Sequence, residues 1–109
     1  NTSVIDPLFG EALGKELSRY DVYISGSKWD PGPNHILESL SCEIPTYVHA
    51  DGGGSVEFAD SLHTYKTFED LKNILNKKSY KNNSLKPFGW NKCTNLYYDL
   101  FKKIRNAQL

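Results

Sequence analysis

Two carboxylates, Asp30 and Glu38, stand eight positions apart across a loop that turns into a helix. Between them runs Pro31-Gly32-Pro33-Asn34-His35-Ile36-Leu37, and a second glycine-bearing stretch, Asp51-Gly52-Gly53-Gly54, follows downstream. Each loop leads from a strand-like segment into a helix-like one. The first turn of a helix presents N–H groups with no intrahelical partner and a partial positive charge, so such loops suit a phosphate. Glycines also serve plain tight turns, and for each loop taken alone that is the simpler reading. Two such loops opening on one edge of a sheet bring the readings level.

The elements that must position these residues can be read from periodicity. Glu11 to Tyr20, with Ala12, Leu13 and Leu17, predicts a helix, and Asp21-Val22-Tyr23-Ile24-Ser25 predicts a buried strand. After the loop Gly26 to Pro33, helical spacing resumes over Asn34 to Cys42, with Ile36, Leu37 and Leu40 apolar and Pro33 preset for a first turn. Pro45 to Val48 is a second strand, Ser55 to Phe58 one or two helical turns, and Leu62 to Tyr65 a weaker third strand. Thr67, with Asp70 three residues on, caps a helix over Phe68 to Asn76. Lys77 to Lys86 reads as a solvated connector. Trp90 to Asn106 places Cys93, Leu96, Tyr97, Leu100, Phe101 and Ile104 on one helical face. Strands alternating with helices predict an α/β fold, a parallel sheet covered on both faces.

Composition narrows the function. Thirteen Lys and Arg balance thirteen Asp and Glu, so net charge is zero. That argues against nucleic acid as a partner and against a polybasic membrane anchor. No apolar run approaches the roughly 18 residues of a membrane-spanning helix. Cys42 and Cys93 have no second Cys or His at ligand spacing; two isolated buried thiols are favoured over a disulfide, which points to a cytoplasmic location. The chain contains no Met, its first residues lack the pattern of a signal peptide, and two or three strands make a small parallel sheet. A segment of a longer protein is expected to look like this.

The ordered run Tyr20-Asp21-Val22-Tyr23-Ile24-Ser25, Asp30-Pro31-Gly32-Pro33-Asn34-His35-Ile36-Leu37-Glu38-Ser39-Leu40-Ser41-Cys42-Glu43-Ile44-Pro45, Gly52-Gly53-Gly54-Ser55-Val56-Glu57 resembles the donor-binding half of the large group-1 family of retaining, GT-B-fold glycosyltransferases. The resemblance spans about residues 8–76, and the terminal helix is compatible with it. It implies a partial Rossmann-like parallel sheet: a core over about 8–76, a connector over 77–89 and a helix over 90–106. The implied activity is transfer of a sugar from a nucleotide sugar with retained configuration. In that family the second acid accepts hydrogen bonds from the ribose hydroxyls, which implies this role for Glu38, since a carboxylate takes two donors at once. Asp30 falls at the catalytic acidic position near the transferred sugar. Gly32, Asn34, His35 and Ile36 fall where backbone amides meet pyrophosphate and sugar, and Gly52 and Gly53 complete the implied donor-binding set. His35 reads equally as a phosphate donor or an exposed loop residue. No metal or other cofactor is implied, because basic residues and helix dipoles do that work in the family.

The chain departs from the pattern in places. Asp30 is one methylene shorter than the usual Glu, and Pro33 removes one amide donor. Glu43 replaces a Gly after the helix, which predicts a turn built without a left-handed cap. The family's Arg and Lys ahead of the acidic pair have no counterpart among the 29 residues before Asp30, and the amino-terminal acceptor domain, an implied partner from the same protein, is missing from this chain. The isolated chain is therefore expected to be inactive. The competing reading is a non-catalytic α/β ligand-binding or regulatory module whose acids are ordinary surface residues.

Overall fold

Four consecutive residues, Thr46-Tyr47-Val48-His49, are all buried and form the strand β2 (Thr46–His49). Side chains alternate across a strand, so burial at every position means that both faces of β2 are covered. The computed structural model describes residues 2–84 and 89–107. In it β1 (Tyr23–Ser25) pairs parallel to one side of β2, with Tyr23 opposite Thr46 and Ser25 opposite Val48, and β3 (Thr64–Tyr65) pairs parallel to the other. The sheet order is β1-β2-β3, an α/β arrangement consistent with a partial Rossmann-like fold.

Helices α1 (Gly10–Leu17), α2 (Asn34–Ser41), α3 (Gly54–Ala59), α4 (Phe68–Lys77) and α5 (Trp90–Ala107) alternate with or follow the strands. Ile36 and Leu40 of α2 and Ala59 of α3 meet Val48 in the core, with Tyr23, Val56 and Phe58 packed against them. Ser39 Oγ and Thr46 Oγ1 lie 2.9 Å apart, which joins α2 to β2 through buried hydroxyls. On the opposite face the packing is ring against ring. Tyr47 meets His63 and Tyr80, with centroids 4.9 and 6.4 Å away, and His49 meets Tyr65 at 5.4 Å.

Several element boundaries differ from the sequence reading. The first helix stops at Leu17, where the backbone tightens to three-residue turns, Arg19 N donating to Glu16 O and Tyr20 N to Leu17 O at 3.1 Å. Asp60 Oδ1 accepts from Leu62 N, holding Ser61–His63 in a 3-10 turn, so the third strand is only Thr64–Tyr65. Thr67 and Asp70 form the expected capping box of α4. Cys42 and Cys93 are free thiols, each half-buried rather than buried. The α2 terminus overturns another expectation. Glu43, at φ +57, occupies the left-handed position, with Glu43 N bonded to Leu40 O and Ile44 N to Ser39 O. This is the Schellman closure that glycine usually makes, and Ile44, 5% exposed, supplies its apolar contact.

The connector is not simply solvated over residues 77–84; positions 85–88 of the expected 77–89 span lie outside the described residues. Asn83 Oδ1 accepts from Thr46 N at 2.8 Å, and Asn83 Nδ2 donates to Thr46 O at 2.9 Å and Ala59 O at 2.8 Å. Since β3 first pairs with β2 at Val48, the Asn83 amide stands in for a strand neighbour at the start of β2. His63 links the same segment to the sheet, with Nδ1 2.7 Å from Asp60 Oδ1 and Nε2 2.7 Å from Lys81 O. Asp60 Oδ2 accepts from both the amide and the hydroxyl of Ser84. In α5 the predicted apolar face exists, yet Leu96, Tyr97, Leu100, Phe101 and Ile104 are all about half or more exposed.

Three outcomes follow from these contacts. Asn83→Ala leaves a fully buried strand N–H and its carbonyl without their partner, at about 1–3 kcal/mol for each group, and lowers the urea midpoint accordingly. Glu43→Gly relieves an L-residue held at positive φ and raises stability by about 0.5–1 kcal/mol, because glycine's greater freedom when unfolded offsets part of the gain. The Asp60 carboxyl is pushed up by burial, but the Ser84 amide, the His63 ring and the Ser84 hydroxyl outweigh that and hold it below its ordinary 3.8. Its stabilisation is therefore complete above about pH 4 and is lost as pH falls through the lower folded value. Hydrogen exchange at Ser84 is expected to accelerate in that acid range and to lose this pH dependence in Asp60→Asn.

Candidate functional site

Because β1 and β2 run parallel, the loops that follow them leave the same edge of the sheet, and here they are joined. Trp29 N donates to Asp51 O at 2.9 Å, Gly54 N donates to Asp30 O at 2.8 Å, and Asp30 and Gly53 form a parallel bridge. The approach is too close for side chains. A Cβ on Gly53 would lie 2.8 Å from Asp30 O, and one on Gly52 would lie 2.9 Å from His49 O. Gly53 also sits at φ +67, ψ −126, outside the ordinary range of L-residues. Gly53 is thus required by the seam between the loops and Gly52 by the turn that follows β2, whatever that edge binds.

Hydrogen-bond accounting divides the expected donor-binding amides. Gly32 N donates to Asp30 Oδ1 at 3.0 Å, Asn34 N to Gly32 O, Ile36 N to Pro33 O and Gly52 N to His49 O. The amides of His35 and Gly53 have no partner among the described residues. They belong to the first turn of α2 and to the seam, where the helix dipole favours an anion. Ile36 is displaced furthest from its expected role: its side chain is 0% exposed in the core, and its amide closes the first turn. His35 is neither a loop residue nor aimed at solvent. Its Nε2 lies 3.0 Å from Ser25 Oγ, so the ring ties α2 to the end of β1, and the same hydroxyl oxygen accepts from Ser27 N.

The two carboxylates differ in setting. Asp30 is half-buried, and one of its oxygens closes the turn onto Gly32, leaving Oδ2 without a partner among the described residues. Glu38 is exposed, one turn along α2 from Asn34. It borders a groove of about 570 Å³ between α1 and α2, lined by Phe9, Gly10, Leu13, Leu17, Asn34 and Leu37 among others. It is also close enough to Tyr23 to act on it. Burial, and secondarily the Glu38 charge, raise the Tyr23 hydroxyl above its ordinary value. Asp30, Gly32, Asn34, His35, Gly52 and Gly53 therefore gather at the sheet edge, while Glu38 faces the adjoining groove.

Two side chains at this edge carry no signal in the linear pattern. His49 ends β2 at 9% exposure, and its Nδ1 accepts from Asp51 N at 2.9 Å. A ring nitrogen that accepts an amide N–H carries no proton there, so the 3.9 Å approach of Asp51 Oδ2 to the same nitrogen is not an ion pair. Trp29 is 75% exposed at φ +57 on the residue before Asp30. A residue's backbone sign cannot be read from its neighbours when a distant loop imposes it. Among the described residues no group of three or more His, Cys, Asp and Glu is arranged to hold a metal, and no helix is long and apolar enough to cross a membrane. Comparison with family models, curated proteins and solved structures found no match to this chain.

Proposed function

We propose that this chain is the donor side of a retaining glycosyltransferase, binding a nucleotide sugar at the carboxyl edge of its sheet. The observation that carries the reading is the joining of two strand-end loops beside the α2 amino terminus, with open amides at His35 and Gly53 and a carboxylate on either side. On this reading the diphosphate lies over the α2 terminus, where N–H groups and the helix dipole meet its charge. Glu38 receives the ribose hydroxyls, and the apolar groove between α1 and α2 offers room for the base. Asp30 Oδ2 faces the transferred sugar. The acceptor comes from a further domain of the same protein, and the exposed apolar face of α5 is a surface suited to such packing. No metal enters this scheme, because helix N–H groups and the α2 dipole meet the diphosphate charge.

One observation favours the competing reading of a non-catalytic module. The Asp30 carboxylate already has a structural task in its turn with Gly32. Asparagine can make the same turn through its side-chain oxygen, so Asp30→Asn separates charge from architecture.

The test is binding of UDP, GDP and ADP and their sugar conjugates, measured by calorimetry. Glu38→Gln removes a charged acceptor worth about 1.5–3 kcal/mol and weakens the bound nucleotide by about 10- to 100-fold, with unfolding midpoints unchanged. Asp30→Asn leaves nucleotide affinity intact and depresses transfer in protein carrying the acceptor domain. Equal nucleotide affinity in wild type and Glu38→Gln overturns the assignment of the acidic pair.

A further inference from the structure

Four non-glycine residues of the described chain have positive φ: Trp29, Glu43, Asp60 and Lys78. Three have local reasons. Glu43 closes the end of α2, Lys78 is the left-handed cap of α4, and Asp60 caps the 3-10 turn that it precedes. Trp29 caps nothing. It is held at φ +57 from outside its own loop, by the Trp29 N to Asp51 O bond and by the bridge of Asp30 to Gly53 immediately after it. Glycine would occupy this position with less strain than the bulkiest side chain available.

Nor does the indole repay that strain through packing. It is 75% exposed, and among the described residues it makes no ring contact and no side-chain hydrogen bond. Other exposed aromatics, such as Phe9, Phe68 and Trp90, have ordinary backbone angles. Trp29 therefore combines a broad apolar face in water, a backbone fixed on both sides, and a place directly beside Asp30. Strained backbone of this kind concentrates where a side chain must be presented in one position.

We infer that Trp29 is a stacking platform for the pyranose ring of the donor, a role that rests on the nucleotide-sugar reading above. A pyranose has one face rich in C–H groups polarised by neighbouring oxygens, and the negative face of an indole attracts such partial positive charge. On that reading the nucleotide is held from the Glu38 side and the sugar from the Asp30 side, so Trp29 selects for the sugar and is indifferent to the nucleotide. The loop seam makes the selection less costly, because the backbone that carries the indole is already fixed before the ligand arrives.

The test uses the whole chain in a Trp90→Phe background, which leaves Trp29 as the sole indole emitter. UDP, GDP and ADP are titrated alongside their hexose conjugates. The expected result is an emission shift with a nucleotide sugar and none with the matching nucleotide. Trp29→Gly is expected to unfold at an equal or higher urea midpoint, to bind the nucleotide as before, and to bind the nucleotide sugar about tenfold more weakly. Trp29→Phe keeps a ring and recovers most of that loss. A lower midpoint in Trp29→Gly assigns the indole to folding and overturns the inference, as does equal weakening of nucleotide and nucleotide sugar. If nucleotides bind and only the dependence on Trp29 is missing, the stacking role alone fails. If no nucleotide of the panel binds, the donor-site reading fails and the platform falls with it.

Discussion

The close approach of two strand-end loops is the constraint on which the rest of this edge depends. With Gly54 N on Asp30 O at 2.8 Å and the Gly53 backbone directly under Asp30, no side chain can separate the loops. The parallel pairing of β1 and β2 is thereby extended beyond the strands themselves, and the residues that follow each strand become parts of one surface. A short sheet gains rigidity at the place where ligands of such folds settle. The orientation of Asp30, the strain at Trp29 and the exposure of the Gly53 amide all follow from that contact.

A second set of contacts holds the sheet from its other end and side. Asn83 supplies β2 with hydrogen bonds that no strand provides, and Asp60 with His63 fastens the same segment. Buried backbone groups must find partners, and a sheet of three short strands has few to offer. A polar connector therefore becomes part of the core architecture without being apolar. The same logic accounts for the many buried polar residues beside a small apolar cluster, among them Ser25, Ser39, Thr46 and His63.

The site that these contacts shape is uneven. Most of the amides near the α2 terminus are spent on the loops' own turns, and the free ones are few. On the proposed reading, a diphosphate held there would meet the helix dipole and two amides. Glu38 and the groove beside it are open, whereas Asp30 divides its oxygens between structure and solvent. On the proposed reading, binding falls to the α1–α2 side and presentation of the reacting group to the seam.

Much of the fold was legible because it rests on local physics. The β-branched and aromatic runs at Tyr23–Ser25 and Thr46–His49 became parallel neighbours, the Pro33 break preceded α2, and Thr67 with Asp70 closed a capping box. Periodicity and short-range hydrogen bonding depend on adjacent residues, which a sequence lists in order. What tertiary structure alone decided came from contacts between residues far apart in the chain. Asn83 looks like one more polar connector residue until Thr46, 37 positions earlier, is seen to need its amide. His35 reads equally as a phosphate donor or an exposed loop residue until Ser25 is placed beside it, and Trp29 gives no hint of its left-handed backbone until Asp51 holds it there. Glu43 shows the opposite limit: its propensity argued against the left-handed turn, but burying Ile44 and closing two carbonyls outweighed about 1–2 kcal/mol of local strain. Sequence by itself determined which segments become helices and strands, and where glycine could stand. Only the folded chain decided which polar groups are consumed in holding it together and which remain open to a ligand, because satisfaction of a buried group is a property of its neighbours in space.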